Sequence, residues 1–70
     1  MERNFTAIIK QDGDWWIGWV EEVPGVNCQE ASRDALVESL REALTDMLEL
    51  NRIDAVSAAG EDYEELPLAV

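Results

Sequence analysis

Hydrophobic and polar positions alternate from Phe5 to Gln11, with Phe5, Ala7 and Ile9 on one face and Thr6, Ile8 and Lys10 on the other. This spacing predicts a strand. Gln11-Asp12-Gly13-Asp14 reads as a turn, because glycine accepts positive φ and aspartate bonds its own backbone. Trp15 to Glu22, rich in aromatic and β-branched residues, predicts a second strand and hence a β-hairpin. Pro24-Gly25 turns the chain again, and Val26 to Ala31 predicts a third, weaker strand. The period then changes. From Arg33 to about Asn51 the apolar residues Leu36, Val37, Leu40, Ala43, Leu44, Met47, Leu48 and Leu50 fall on one side of a helix. Ser32 is placed to cap it, and Asp34 suits the first turn. Ile53 to Asp62 predicts a connection without defined shape. Tyr63 to Val70 predicts a last strand, confined to a sheet edge by Pro67, which has no N–H.

The expected order is therefore β-β-β-α-β in a single α+β domain over 1–70. An antiparallel three-stranded meander carries one helix on one sheet face. The crossover brings the last strand parallel to the first and third. Gly18, inside the second strand, is expected to mark a bulge or a close approach of the covering helix.

Charge adds a functional constraint. Sixteen acidic residues stand against five basic ones, a formal net charge of −11. Phosphate would be repelled, so neither nucleic acid nor an anionic membrane is an expected partner. A basic protein is the complement, although an acidic surface also serves solubility alone. The acidic helix face of Glu38, Glu42, Asp46 and Glu49 is by default solvated. No apolar run approaches the roughly 20 residues that span a bilayer. The start Met1-Glu2-Arg3-Asn4 does not resemble a signal peptide, and the lone Cys28 has no partner for a disulfide within the chain. A cytoplasmic protein is expected.

Catalytic and metal chemistry find little footing. Histidine is absent, so neither Cys28 nor a serine has a histidine base, and zinc lacks a ligand set. Asp12-Gly13-Asp14 superficially resembles the start of a calcium loop, but two tryptophans follow it without further oxygen ligands. There is no glycine-rich phosphate loop. The expectation is a non-enzymatic chain without metal or cofactor. Of the three tryptophans, Trp15 and Trp19 share one strand face and Trp16 the other. With one face covered by a helix, at least one tryptophan should lie on the uncovered face, and exposed tryptophan is enriched at interfaces.

The run Trp16-Ile17-Gly18-Trp19-Val20-Glu21-Glu22-Val23-Pro24-Gly25 resembles the second strand and following turn of HicB-like antitoxins. Ser32 and Asp34, Leu40-Arg41-Glu42-Ala43-Leu44 and Leu48-Glu49 resemble that family's helix, and Phe5 to Ile9 and Leu66-Pro67-Leu68 its outer strands. Glu21 stands where proline is usual in the family, and Glu30 where glycine is usual. The resemblance implies a partial ribonuclease-H-like fold with the last strand beside the first. It implies an antitoxin of a type II toxin-antitoxin pair that neutralises a small basic HicA-like, mRNA-cleaving toxin. Many members of that family add a C-terminal DNA-binding segment, and with Val70 directly after the expected last strand a short form without it is expected here. The alternative is an orphan, homo-oligomeric interaction domain with no toxin. A ribonuclease-H-type nuclease is a rival reading, but Phe5 to Gln11 holds none of the carboxylates its metals would need. Candidate partner-binding residues are Asp12, Asp14, Trp15, Trp19, Glu21, Glu22, Glu64, Glu65 and Leu66, where carboxylates adjoin apolar side chains. A homodimer through a sheet edge is expected, because the core is small and the acidic helix faces would repel one another.

Overall fold

The computed structural model describes residues 4–69. Strand β1 (Ala7–Asp12) pairs antiparallel with β2 (Trp15–Val20), and β2 with β3 (Asn27–Glu30), giving the order β1-β2-β3. Helix α1 (Arg33–Ala59) follows. The coarse α+β class, a three-stranded meander with a helix, is the one the sequence predicts.

Each turn has a local cause. Asp12 pairs with Trp15, leaving a two-residue loop in which Gly13 takes φ 62°. Glycine with positive φ at the first loop position suits the II′ hairpin turn. At Val23-Pro24-Gly25-Val26 the Val26 N–H donates to the Val23 carbonyl (3.4 Å) and Gly25 takes φ 95°. Proline followed by a positive-φ glycine is the type II arrangement. It brings Val23 and Val26 inward, and both are buried. Ser32 caps α1: its hydroxyl accepts from the Ala35 N–H at 3.2 Å.

The core is Val20, Val23, Val26, Leu36 and Leu40, with Phe5, Ile9, Trp16, Cys28, Ala43, Leu44 and Met47 packed against it. Fully burying a side chain of this size contributes about 1.5–3 kcal/mol. Gly18 lets the helix approach. A Cβ there would meet the Ile8 carbonyl oxygen at 2.9 Å and Leu40 Cδ1 at 3.0 Å. Pairing runs unbroken through Gly18 on both sides, so of the two predicted causes it is the close approach that applies.

Two expectations are corrected. The helix does not end near Asn51 but runs through the predicted connection to Ala59, where Gly60 (φ 75°) terminates it and donates its N–H to the Val56 carbonyl. Ala55, Ala58 and Ala59 are strong helix formers, and glycine is the usual residue just past a helix end. The predicted last strand does not form within 63–69, which has no regular secondary structure and lies exposed; Val70 is outside the described residues. The long helix explains this, because it carries the tail away from the sheet. At 27 residues α1 is about 40 Å long, roughly twice the length of a six-residue strand. Its apolar stripe is sheltered only as far as Met47; Leu48, Leu50 and Ile53 are exposed.

Candidate functional site

Helix α1 packs on β2 and β3 and covers one sheet face. Strand alternation assigns Ile9, Trp16, Gly18, Val20 and Cys28 to that face. The opposite face is open. There Ile8 pairs with Trp19, Lys10 with Ile17 and Asp12 with Trp15; Ile17 and Trp19 face Gln29 and Asn27 across the other ladder. The result is an apolar stripe of Trp15, Ile17, Trp19 and Ile8. Trp15 is 50% exposed and Trp19 40%. The two tryptophans lie about 13 Å apart along one strand. The structure thereby resolves which tryptophan is interior: Trp16 packs against the core, while Trp15 and Trp19 face outward.

Charges border the stripe. Asp12 and Asp14 lie at the hairpin end, and Glu21 and Glu22 at the other end of β2. Lys10 is the one cation on this face among the described residues. Asp12 belongs to β1, one residue beyond the predicted strand, so the first strand does carry a carboxylate at its hairpin end. Among the described residues no cluster of three acidic or cysteine side chains could hold a metal ion.

The two glutamates differ. The Glu21 N–H donates to the Thr6 carbonyl at 2.9 Å through the backbone, while its side chain lies exposed. The Glu22 carboxylate accepts from the Thr6 N–H at 2.7 Å. That hydrogen bond holds its carboxyl below its ordinary pKa. Glu22 therefore clasps the start of β1, a structural role that charge alone does not reveal.

Glu64, Glu65 and Leu66 lie apart from this face. They belong to the tail after α1, and Glu65 pairs with Arg52 at 3.4 Å. Of the residues selected from sequence, Asp12, Asp14, Trp15, Trp19, Glu21 and Glu22 are gathered on or beside the open face, and the tail trio is not. Sequence reasoning missed Ile8 and Ile17, which complete the stripe; their alternation with Ile9 and Gly18 was the available signal.

A second surface lies on the helix side, beside β1. A groove of about 280 Å³ is lined by the apolar Phe5, Ala7, Val20, Val37, Leu40 and Leu44 together with Asn4 and Arg41. Cys28, half-buried on β3, has its thiol pKa raised by burial and by the Glu30 charge. Glu30 in turn accepts from the Ser39 hydroxyl at 2.7 Å, tying β3 to α1. Among the described residues no helix is long and apolar enough to cross a membrane.

No family model matches the chain, and no curated protein or solved structure matches it.

Proposed function

We propose that this chain is a non-enzymatic protein-binding module, an antitoxin that occupies a small basic HicA-like, mRNA-cleaving toxin through the open sheet face. The observation that carries the reading is the open-face stripe of exposed Trp15, Trp19 and Ile8 with half-buried Ile17 between them, bordered by carboxylates at both ends. Tryptophan supplies large contact area and dominates interface energetics when a partner buries it. The excess of negative charge selects a cationic partner and speeds encounter. A ribonuclease surface must attract phosphate, so the carboxylates of this face would lie where phosphates otherwise bind. Lys10 offers an anchor for one acidic side chain of the partner within the stripe, a device for register rather than affinity. The resemblance of Trp16 to Gly25 and of Ser32 to Glu49 to HicB-like antitoxins supplies the class of partner and a cytoplasmic setting. The partial ribonuclease-H-like fold of that class would further require residues 63–69 to reach the β1 edge.

The test is titration of the chain with the small basic protein encoded beside it, with mRNA cleavage by that protein as the second readout. Trp15→Ala and Trp19→Ala should each weaken binding by about 30-fold or more, the effect of removing an interface anchor. Asp12→Lys with Glu21→Lys should slow association and flatten its salt dependence. Glu22 is left intact because it holds Thr6. Tight binding indifferent to both tryptophans would overturn the assignment of this face, and absence of binding to any such basic protein would overturn the antitoxin reading.

A further inference from the structure

We propose that two copies of this chain exchange their C-terminal tails, each laying residues 64–69 along the free edge of the other's β1 as a fourth strand. The inference does not depend on the antitoxin reading, because the surface involved is on the opposite side of the sheet from the tryptophans.

The acceptor is incomplete as it stands. β1 is the end strand of the sheet, so its outer N–H and C=O groups have no ladder partner. An unprotected edge of this kind is a template for another strand. Beside it runs the apolar groove between β1 and α1. The donor is incomplete in a matching way. Leu66 and Leu68 are 69% and 77% exposed. At a spacing of two they fall on one face of an extended segment. Their N–H groups would point to the same side, toward β1, and Pro67, which has none to offer, would face solvent. Arg41, which lines the groove, forms no ion pair among the described residues, and the tail carries Glu64 and Glu65.

Reach decides which copy donates. From Gly60 back to Leu40 is about 30 Å along α1. Residues 61–69 span at most about 30 Å when fully extended. The chain's own tail turns back along the helix only far enough for Glu65 to meet Arg52. From there Leu40 is still about 18 Å away, whereas Leu68 lies at most about 10 Å beyond Glu65. With α1 intact to Ala59, a chain's own tail at full stretch brings Leu68 only to the near end of the groove at Leu44, about 24 Å from Gly60, and leaves Leu66, with a reach of about 20 Å, short of it. A second copy can place both. The Arg52–Glu65 pair is exposed on both sides and is a weak tether.

Two chains of charge −11 repel, so the exchange should tighten as salt screens that repulsion. Sedimentation of the full chain across a concentration and salt series should show a monomer–dimer equilibrium that shifts toward dimer with added salt. Leu66→Asp and Leu68→Asp alter side chains that are exposed in the monomer. Each should raise the dissociation constant by about tenfold or more, the factor expected from burying a leucine. In a mixture of isotopically labelled and unlabelled chains, NMR contacts from the Leu66 and Leu68 methyls to Phe5 and Leu40 should run between chains. A monomer at millimolar concentration, a dimer indifferent to both substitutions, or the same contacts within one chain with α1 shortened would each overturn the proposal.

Discussion

Replacing Gly18 with alanine should destabilise the protein, although alanine normally suits a strand no worse than glycine. The added methyl would stand 2.9 Å from the Ile8 carbonyl oxygen and 3.0 Å from both Ile9 Cγ2 and Leu40 Cδ1. Leu40 is almost wholly buried beside Val20, Val26 and Leu36, so it has little room to retreat. Overpacking of this kind costs about 1–3 kcal/mol. Glycine-to-alanine replacement returns about 0.4–1 kcal/mol by restricting the unfolded chain. The net is a loss of about 1–2 kcal/mol, a large share of the roughly 3–5 kcal/mol that a core of this size supplies. In a domain of this length it corresponds to a fall in Tm of about 5–15 °C. Urea and thermal melts, followed by far-ultraviolet circular dichroism and by tryptophan fluorescence, measure it. Leu40→Val removes the methyl that α1 presents to the site, so the double variant should lose less stability than the sum of the singles, by at least about 0.5 kcal/mol. A Gly18→Ala protein as stable as the wild type would contradict the close approach. Strict additivity would assign the whole cost to the neighbouring strand and remove the role given to α1.

Ser32→Ala should lower stability by about 1 kcal/mol in the same melts, because the Ala35 N–H loses its acceptor, and Ser32→Asp should restore it. Glu22 has a depressed carboxyl pKa, so its contribution is present above the ordinary carboxylate range and is lost as pH falls through and below it. The protection factor of the Thr6 amide, its exchange rate relative to the unprotected rate at the same pH, should accordingly fall on acidification, and Glu22→Gln should flatten that dependence; a Thr6 protection factor that does not change with pH in the wild type would contradict the clasp.

The sequence was most legible where one local cause acted alone. Pro24-Gly25 carried its own turn, Ser32 its own cap, and alternation carried the three strands to within a residue or two. It misled where a pattern needed something to pack against. Leu66, Pro67 and Leu68 have the spacing of an edge strand, but a strand also needs a sheet within reach, and the length of α1 denies it one. The helix beyond Asn51 was obscured for a related reason. Ile53 and Val56, beyond Leu50, do not continue the stripe of Leu36, Leu40 and Met47, because no sheet lies beneath that stretch to demand it. Ala55, Ala58, Ala59 and the terminating Gly60 did carry the signal, through propensity rather than period. The partition of the tryptophans was also within reach of sequence. If Gly18 marks the helix approach, alternation puts Trp16 and Val20 with it and leaves Trp15 and Trp19 outside. The role of Glu22 was not legible, since nothing along the chain indicates that a carboxylate at that position meets the Thr6 N–H.

The proposed surfaces differ in the sign of their response to salt, which makes them separable in one experiment. Binding of a basic partner to the carboxylate-bordered tryptophan face should weaken as ionic strength rises, because opposite charges are being screened. Exchange of tails between two chains of charge −11 should strengthen over the same range, because like charges are being screened. Geometry makes the two compatible: Leu40 and Leu44 line the groove from the helix side, whereas Ile8, Ile17 and Trp19 lie on the far side of the sheet. A tail-exchanged dimer would keep both tryptophan faces free and join them in one particle. Two linked faces can hold a paired basic target more tightly than either alone, provided their separation matches that of the target's sites. Leu66→Asp, which should weaken the pairing about tenfold or more without touching the stripe, would then leave the affinity of each single face unchanged while reducing that gain. Trp19→Ala should do the reverse, weakening each face and sparing the dimer.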